Sequence, residues 1–195
     1  ESLGKIALGN LQAIEALIQL LRTSQNEYIR RQAAESLGKI DPGNLQAIEA
    51  LIQLLYTSQN EETRWQATQS LEKIGTGNLQ GIEALIQLLR TSQKESTRWR
   101  TAESLGKIDP GNPQAIEALI QLLRTSQKES TRWRAAESLG KIATGNSQAI
   151  EALIQLLHSS HNEYTPWQAA ESLGKIATGN SQAIEALIQL LRTSR

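Results

Sequence analysis

The chain has 195 residues, of which 20 are basic and 20 acidic, so its formal net charge is zero. This balance argues against a basic protein that coats nucleic acid, and the absence of cysteine excludes a disulfide framework and a thiolate metal site. No apolar run approaches the roughly 18 residues that a membrane-spanning helix needs, and no signal peptide is visible, so we expect a cytoplasmic protein without membrane contact.

One hexapeptide recurs along the chain at intervals of 34 residues or a multiple of 34. The sequence Glu-Ser-Leu-Gly-Lys-Ile, with one variant at Gln69, begins at Glu1, Glu35, Gln69, Glu103, Glu137 and Glu171. A fixed period of this size is the signature of a stacked repeat array. Each unit buries its apolar face only against its neighbours, so we expect a single repeat domain over 1–195, with a partial unit from 171.

Each unit predicts two helices. The first helix of the first complete pair is expected over roughly 27–40, with its inner face formed by Ile29, Ala33, Ala34, Leu37 and Ile40. Either Ser24 or Asn26 caps it. The second helix is expected over roughly 45–58, with an apolar arc of about 200° and a polar side made of Gln46, Glu49, Gln53 and Tyr56.

Turn residues separate the helices. Asp41-Pro42-Gly43-Asn44 reads as a tight turn in which Asn44 caps the second helix, and Pro113 follows the equivalent cap, Asn112. In the fifth pair, Thr165 is expected to cap the first helix, with Pro166 at its first position. Connections this short force neighbouring helices to be antiparallel.

The unit departs from the tetratricopeptide pattern, because Trp65 is followed by Gln-Ala-Thr rather than by Leu-Gly and Tyr at the required spacing. It resembles the short HEAT-like repeat of the phycobilisome-lyase type. The resemblance lies in Arg30-x2-Ala-Ala-x2-Leu-Gly-x-Ile40, then Asp-Pro, then Ala47-Ile-x2-Leu-x2-Leu-Leu55, and it covers essentially the whole chain. Similar arrays are appended to cyanobacterial signalling proteins, including NACHT-type ATPases. The resemblance implies an all-α fold, a right-handed α-solenoid of stacked antiparallel helix pairs with second helices on the concave side.

Polar positions of the second helix repeat without change and predict a ladder on its exposed face, here called the acidic ladder. Its inner members are Glu49, Gln53, Glu83, Gln87, Glu117, Gln121, Glu151 and Gln155, and Glu15, Gln19, Glu185 and Gln189 are the equivalents at either end. One hypothesis is a polar, acidic surface for an extended polar or basic segment. The other is a solvated face copied by duplication.

Variation between units clusters where a second helix ends and a first helix begins, and we call this set the variable rim. We expect it to select the partner. Its members are Arg22, Tyr28, Tyr56, Glu62, Arg90, Arg100, Arg124, Arg134, His158 and Tyr164.

Aromatic and basic residues of the first helix invite further hypotheses. A tryptophan recurs at Trp65, Trp99, Trp133 and Trp167, either for packing between units or as a row of ligand anchors. Two of them are flanked by arginines on both sides, which suggests nucleic-acid stacking, although zero net charge argues against it. A second series is expected to cap the preceding second helix, namely Arg30, Arg64, Arg98 and Arg132.

The sequence contains no recognisable catalytic set, and we expect no enzyme activity, cofactor or resident metal. His158, His161 and Glu163 have ligand-like spacing in one unit only, which favours surface drift over a zinc site.

Two functions remain open. The first is a scaffold that binds a protein or an extended peptide. The alternative, implied by the resemblance, is a subunit of a bilin lyase-type enzyme acting on phycobiliproteins. The chain starts inside a predicted helix, so we expect a fragment of a longer array that associates end to end through uncapped terminal units.

Overall fold

The computed structural model describes residues 11–39, 43–159 and 164–193, and these form helices joined by short connections. The helices, in chain order, are α1 (Leu11–Thr23), α2 (Glu27–Leu37), α3 (Leu45–Thr57), α4 (Glu61–Ile74), α5 (Leu79–Thr91), α6 (Glu95–Ile108), α7 (Pro113–Thr125), α8 (Glu129–Ile142), α9 (Ser147–Ser159), α10 (Tyr164–Ile176) and α11 (Ser181–Thr193). The described part of the chain contains no strand.

The chain divides into two compact units, one of 1–92 with 107–109 and one of 93–106 with 110–195. In the first unit, α2 and α4 pack side by side as one layer, and α1, α3 and α5 form the other. Each second helix also packs on the first helix that follows it, α1 on α2 and α3 on α4. The core of this unit consists of aliphatic side chains between the layers, among them Ile14, Leu37, Leu51 and Leu85.

The second unit repeats this arrangement. The first helices α8 and α10 pack together, the second helices α7, α9 and α11 lie side by side, and α7 and α9 pack on α8 and α10. Leu119, Leu139 and Leu153 are fully buried between the layers. The predicted class, an all-α solenoid of stacked helix pairs, is confirmed, whereas the handedness and the single domain stay predictions.

Helix starts follow the predicted caps where an asparagine is present. Asn44 accepts a hydrogen bond from the Ala47 N–H at 3.0 Å, and Asn112 caps α7 ahead of Pro113. Asn26, not Ser24, is the cap of α2, because its side chain accepts from the Tyr28 N–H at 2.9 Å. Ser24 instead accepts the Asn26 N–H at 3.1 Å.

Several predicted boundaries and faces need correction. α2 ends at Leu37, because the Lys39 N–H bonds the Ser36 carbonyl three residues back rather than the carbonyl four residues back, and Ile40, Asp41 and Pro42 lie outside the described residues. Ile29 was expected on the inner face but is exposed, and the other 34-residue repeats carry threonine at the equivalent position. α10 is already helical at Tyr164, so Pro166 is not its first residue. It still lies in the first turn, where a missing N–H breaks no helical bond.

Turn glycines join one pair to the next. Gly43 has φ +86° and donates its N–H to the Ile74 carbonyl at the end of α4, at 2.8 Å. Gly145, with φ +71°, does the same for Ile176 of α10 at 2.9 Å. A positive φ is accessible to glycine without steric cost. The turn that follows the first helix of one pair therefore donates a hydrogen bond to a terminal carbonyl of the first helix in the next pair.

A glutamate–threonine hydrogen bond also links consecutive first helices. Thr63 donates its hydroxyl to the Glu27 carboxylate, and Thr165 donates to Glu129 at 2.6 Å. The Thr63 hydrogen bond is the largest influence on the pKa of Glu27; it outweighs burial, which acts in the opposite direction, and with a smaller contribution from Arg30 it lowers that pKa. This pair was not predicted from the sequence, although its 36-residue spacing recurs.

Replacing Thr63 by valine is expected to raise the pKa of Glu27 toward the ordinary value of about 4.3. Because the folded-state pKa is depressed, the stabilisation is present above the unfolded pKa and is lost as the pH falls through the folded one. The melting temperature should therefore fall more at pH 7 than at pH 3, as followed by circular dichroism. Thr57→Val is the control, since this exposed hydroxyl bonds only the Gln53 carbonyl of its own helix. If Thr63→Val lowered the melting temperature equally at both pH values, the hydrogen bond to the Glu27 carboxylate would not be the source of the stabilisation.

Candidate partner-binding surfaces

The acidic ladder lies at the surface of both units. All eight of its inner members are exposed, from Glu49 and Gln53 to Glu151 and Gln155. The residues between them, such as Leu51 and Leu54 in α3, are buried in the core. This orientation of the helix leaves the ladder side chains at the surface. The predicted orientation of the second helix is therefore confirmed, while a role for the ladder in binding stays a prediction.

Neighbouring second helices of the first unit enclose grooves along the ladder. Between α3 and α5, a groove of about 610 Å³ is lined by Glu49, Ile52, Gln53, Tyr56, Leu79, Gln80, Glu83 and Ala84. We call this the ladder groove. Its floor is apolar and its edges carry two carboxylates. A second groove, of about 530 Å³ between α1 and α3, is lined by Glu15, Gln19 and Glu49 together with Arg22.

Two members of the variable rim in the first unit line the grooves along the ladder. Arg22 and Tyr56 line the two grooves of the ladder, because they follow Glu15 and Glu49 by two helical turns and so share their face. Tyr28 and Glu62, at the starts of α2 and α4, are exposed and line neither of these two grooves. The variable rim as a surface that selects the partner stays a prediction.

The ladder groove perturbs one titrating group. The pKa of the Tyr56 hydroxyl is raised, chiefly by partial burial and also by the negative charge of Glu83. Both effects disfavour the phenolate. Tyr56 therefore stays a neutral hydroxyl, able to donate and accept hydrogen bonds, at the edge of an acidic groove.

The other members of the variable rim divide in the same way. Four members, Arg90, Arg124, His158 and Tyr164, are exposed. Arg100 and Arg134 instead lie together in the second unit, in a groove of about 750 Å³ at the starts of α6 and α8. We call it the basic groove, defined by Lys94, Arg100, Lys128 and Arg134 around Trp99.

The four tryptophans occupy different environments. Trp99 is 8% exposed and Trp167 is 61% exposed, whereas Trp65 and Trp133 are half-buried. The Trp99 ring is accompanied by Arg100 and by Arg134 of the next pair, whose guanidinium carbons lie 5.4 and 4.9 Å from its centroid. The packing hypothesis is therefore confirmed for Trp99, and the four rings do not form a uniform row of exposed anchors.

The arginine series has more than one role. Arg30 caps α1 as predicted, donating from Nε to the Leu21 carbonyl at 3.2 Å. For Arg98 the prediction was wrong. Its guanidinium donates to the Gln121 side chain at 2.8 Å, so a first helix holds a ladder residue of α7. Arg132 pairs with Glu129 at 2.9 Å, and the buried Nε of Arg64 has no hydrogen-bond partner among the described residues.

The described residues show no group of three or more side chains that could hold a metal ion. His161 and Glu163 lie outside them, so the interpretation of the His158 motif stays a prediction. None of the helices that the structure describes is long and apolar enough to cross a membrane.

Comparison with known proteins adds the following. The family description "HEAT repeats" matches residues 1–72, 48–140, 82–165 and 116–195. No curated protein matches the chain significantly.

Solved structures give weaker likenesses. The complex of CpcE and CpcF of phycocyanin lyase from Nostoc sp. PCC7120 is similar at 21% identity over 98% of this chain and 85% of that one, with a TM-score of 0.43. A de novo designed 16-helix transmembrane nanopore is 22% identical over 98% of this chain and 56% of its own, with a TM-score of 0.18. A computationally designed self-assembling cyclic homooligomer is 22% identical over 92% and 59%, with a TM-score of 0.18. At this similarity, neither the chemistry nor the partners of those proteins extend to this chain.

Proposed function

Because the chain belongs to the family of HEAT repeats, we propose that it is an interaction module that binds a partner protein through an extended peptide segment. The function needs surface rather than a reactive pocket, and a repeat array supplies surface by stacking one helix layer over another. We infer no enzymatic activity for it. The partner is a protein or peptide rather than nucleic acid.

The ladder groove is the observation that supports this proposal. Ile52 and the buried Ala84 give it an apolar floor, the exposed Leu79 adds apolar surface at its margin, and Glu49 and Glu83 give it acidic edges. Lysine and arginine combine a long apolar stem with a cationic head. The stem fits the floor while the head reaches a carboxylate, so the groove suits a basic side chain of an extended segment.

Repetition along the layer extends this match. Glu15, Gln19 and Glu49 line the neighbouring groove at the same helical positions. Alternate side chains of an extended peptide point to one side. An extended segment with basic residues on that side can therefore place cations over more than one second helix. Complementary charge of this kind favours selectivity and fast association more than raw affinity.

Neutralising the ladder groove is expected to weaken binding of a basic peptide. The probe is a fluorescein-labelled decapeptide of alternating lysine and serine, followed by fluorescence polarisation at low salt. Glu49→Gln with Glu83→Gln should reduce its affinity about 5–30-fold, since each of the two lost charge contacts is worth roughly 0.5–1 kcal/mol at an exposed site. Circular dichroism should show unchanged helicity.

Glu171→Gln is the matched control, because Glu171 is an exposed glutamate of α10 that belongs to neither the ladder groove nor the variable rim. Its affinity for the probe should stay within about twofold of the parent. If the double variant and the control lost affinity for the probe equally, the loss would reflect the overall charge of the protein. The ladder groove would then not be the binding site.

The lyase-type alternative stays a prediction from the sequence. No residue described in the structure favours it specifically. It requires that the chain bind a linear tetrapyrrole, with a shifted absorption band after incubation. An unchanged spectrum would count against it.

A further inference from the structure

The starts of α6 and α8 carry cations where the other pairs carry amides. The octapeptide Gln-Lys-Glu-Ser-Thr-Arg-Trp-Arg occurs at 93–100 and again at 127–134. Its lysine replaces the asparagine found at Asn26 and Asn60, and its last arginine replaces the glutamine found in the other pairs. The structure brings both copies together in the basic groove.

The lysines occupy positions that are unfavourable for the fold. Asn60 caps α4 by accepting the Thr63 N–H at 3.0 Å, whereas Lys128 begins α8 with no side-chain cap hydrogen bond. A lost cap costs about 1 kcal/mol, and a cation is disfavoured at the positive end of the helix dipole. Lys128 therefore breaks a local rule of helix capping, and such departures are expected at functional sites.

The arginines are held in place by aromatic rings. The Arg134 guanidinium carbon lies 4.9 Å from the Trp99 ring and 5.1 Å from the Trp133 ring, and Arg100 lies 5.4 Å from Trp99. Stacking on a ring leaves the edge of a guanidinium available for bidentate hydrogen bonds to an anionic group. Two arginines are thus oriented before any partner arrives, which reduces the entropy lost on binding.

The lining of the basic groove contains one carboxylate, that of Glu95, against four cationic side chains. The carboxylate of Glu95 accepts the Ser126 hydroxyl at 3.0 Å and the Thr131 hydroxyl at 3.2 Å, so it serves packing between pairs. Lys128 and Arg134 make no ion pair with a carboxylate in the described ranges. The groove therefore has a net positive charge within a chain of zero net charge.

We propose that the basic groove is a second binding site, and that it takes an acidic peptide segment. Carboxylate or phosphate groups at alternate positions of the segment bind Arg100 with Lys94 and Arg134 with Lys128. Nucleic acid fits less well, because base stacking needs an open aromatic face and Trp99 is 8% exposed with arginines at its ring. The site differs from the ladder groove in charge and in the helices that build it.

The test uses a fluorescein-labelled octapeptide of alternating glutamate and glycine, followed by fluorescence polarisation in 50 mM and 300 mM salt. We expect binding to the whole chain that weakens at the higher salt. The variant Lys128→Asn with Arg134→Gln should bind at least tenfold more weakly. These are the residues that other pairs carry at the same positions, so the variant should fold with equal or higher melting temperature.

Lys175→Asn with Arg192→Gln is the charge-matched control. Both residues are exposed in the second unit and do not line the basic groove. The control should bind within about twofold of the parent, and equal losses in both double variants would overturn the proposal. So would tighter binding of a fluorescein-labelled octathymidylate than of the acidic peptide.

A peptide with phosphoserine in place of glutamate tells which anionic group the site prefers. If neither acidic peptide binds, the basic groove is not such a site. That result would not change the outcome of the other test, in which the Glu49 and Glu83 variant loses affinity for the lysine–serine peptide. Failure of the basic groove and failure of the ladder groove are therefore distinguishable.

Discussion

Leu85→Ala is expected to lower the free energy of unfolding by about 3 kcal/mol, because removing a buried leucine loses transfer free energy and leaves a cavity. Leu85 is completely buried in α5, which packs beside α3. Stacked repeats contact only their neighbours, so the destabilisation should concentrate around α3 and α5. Urea unfolding followed by circular dichroism gives the total effect, and amide hydrogen exchange shows where it lies.

The matched control for this change is Leu79→Ala in the same helix. Leu79 is 79% exposed, and the equivalent residues of later pairs are Pro113 and Ser147. Its replacement should change the stability by less than about 0.5 kcal/mol. If the two variants had the same free energy of unfolding, burial of Leu85 in this layer would not be what stabilises α5.

Gly140→Ala and Gly174→Ala are expected to change stability in opposite directions, although the two glycines occupy the same position of the repeat. A Cβ on Gly140 would lie 2.6 Å from the Ser172 hydroxyl oxygen and 3.0 Å from the Ser172 Cα. No described atom lies within 4 Å of a Cβ built on Gly174. Close approach of α8 and α10 therefore depends on the first glycine alone.

Alanine is the better helix former by about 1 kcal/mol, so Gly174→Ala should raise the melting temperature. In Gly140→Ala, overpacking costs about 1–3 kcal/mol, and the contact also threatens the 2.8 Å hydrogen bond from Ser172 to the Ala136 carbonyl. The melting temperature should fall. Thermal unfolding of the two variants side by side decides the matter; a rise in both would mean that α8 and α10 move apart without cost.

The sequence predicts well what each unit needs by itself. Asn44 caps its helix, Gly43 adopts the positive φ of a turn, and the buried leucines follow the helical period. These features depend on local backbone geometry and on a period of 3.6 residues, both of which can be read within one unit.

Differences between equivalent residues could not be predicted in this way. Trp99 is buried and Trp167 exposed, and Arg30 caps a helix end while Arg98 binds a glutamine. Identical positions meet different neighbours once the helices are stacked, and those neighbours are set by tertiary contacts rather than by local sequence. The basic groove was missed for the same reason, because its two halves come from different pairs.

The hydrogen bonds between consecutive first helices have a consequence for how such a chain can change in length. Thr63 and Thr165 each lie 36 residues beyond the glutamate that they bind. Deleting 34 residues, from 63 to 96, would bring Thr97 to the position that Thr63 held, and Glu27 would meet the same chemical group. Deletions that are not multiples of 34 residues would shift the helices and turns out of the repeat register. Recombination between copies is thus tolerated in whole steps only, and each step adds or removes one complete stretch of surface.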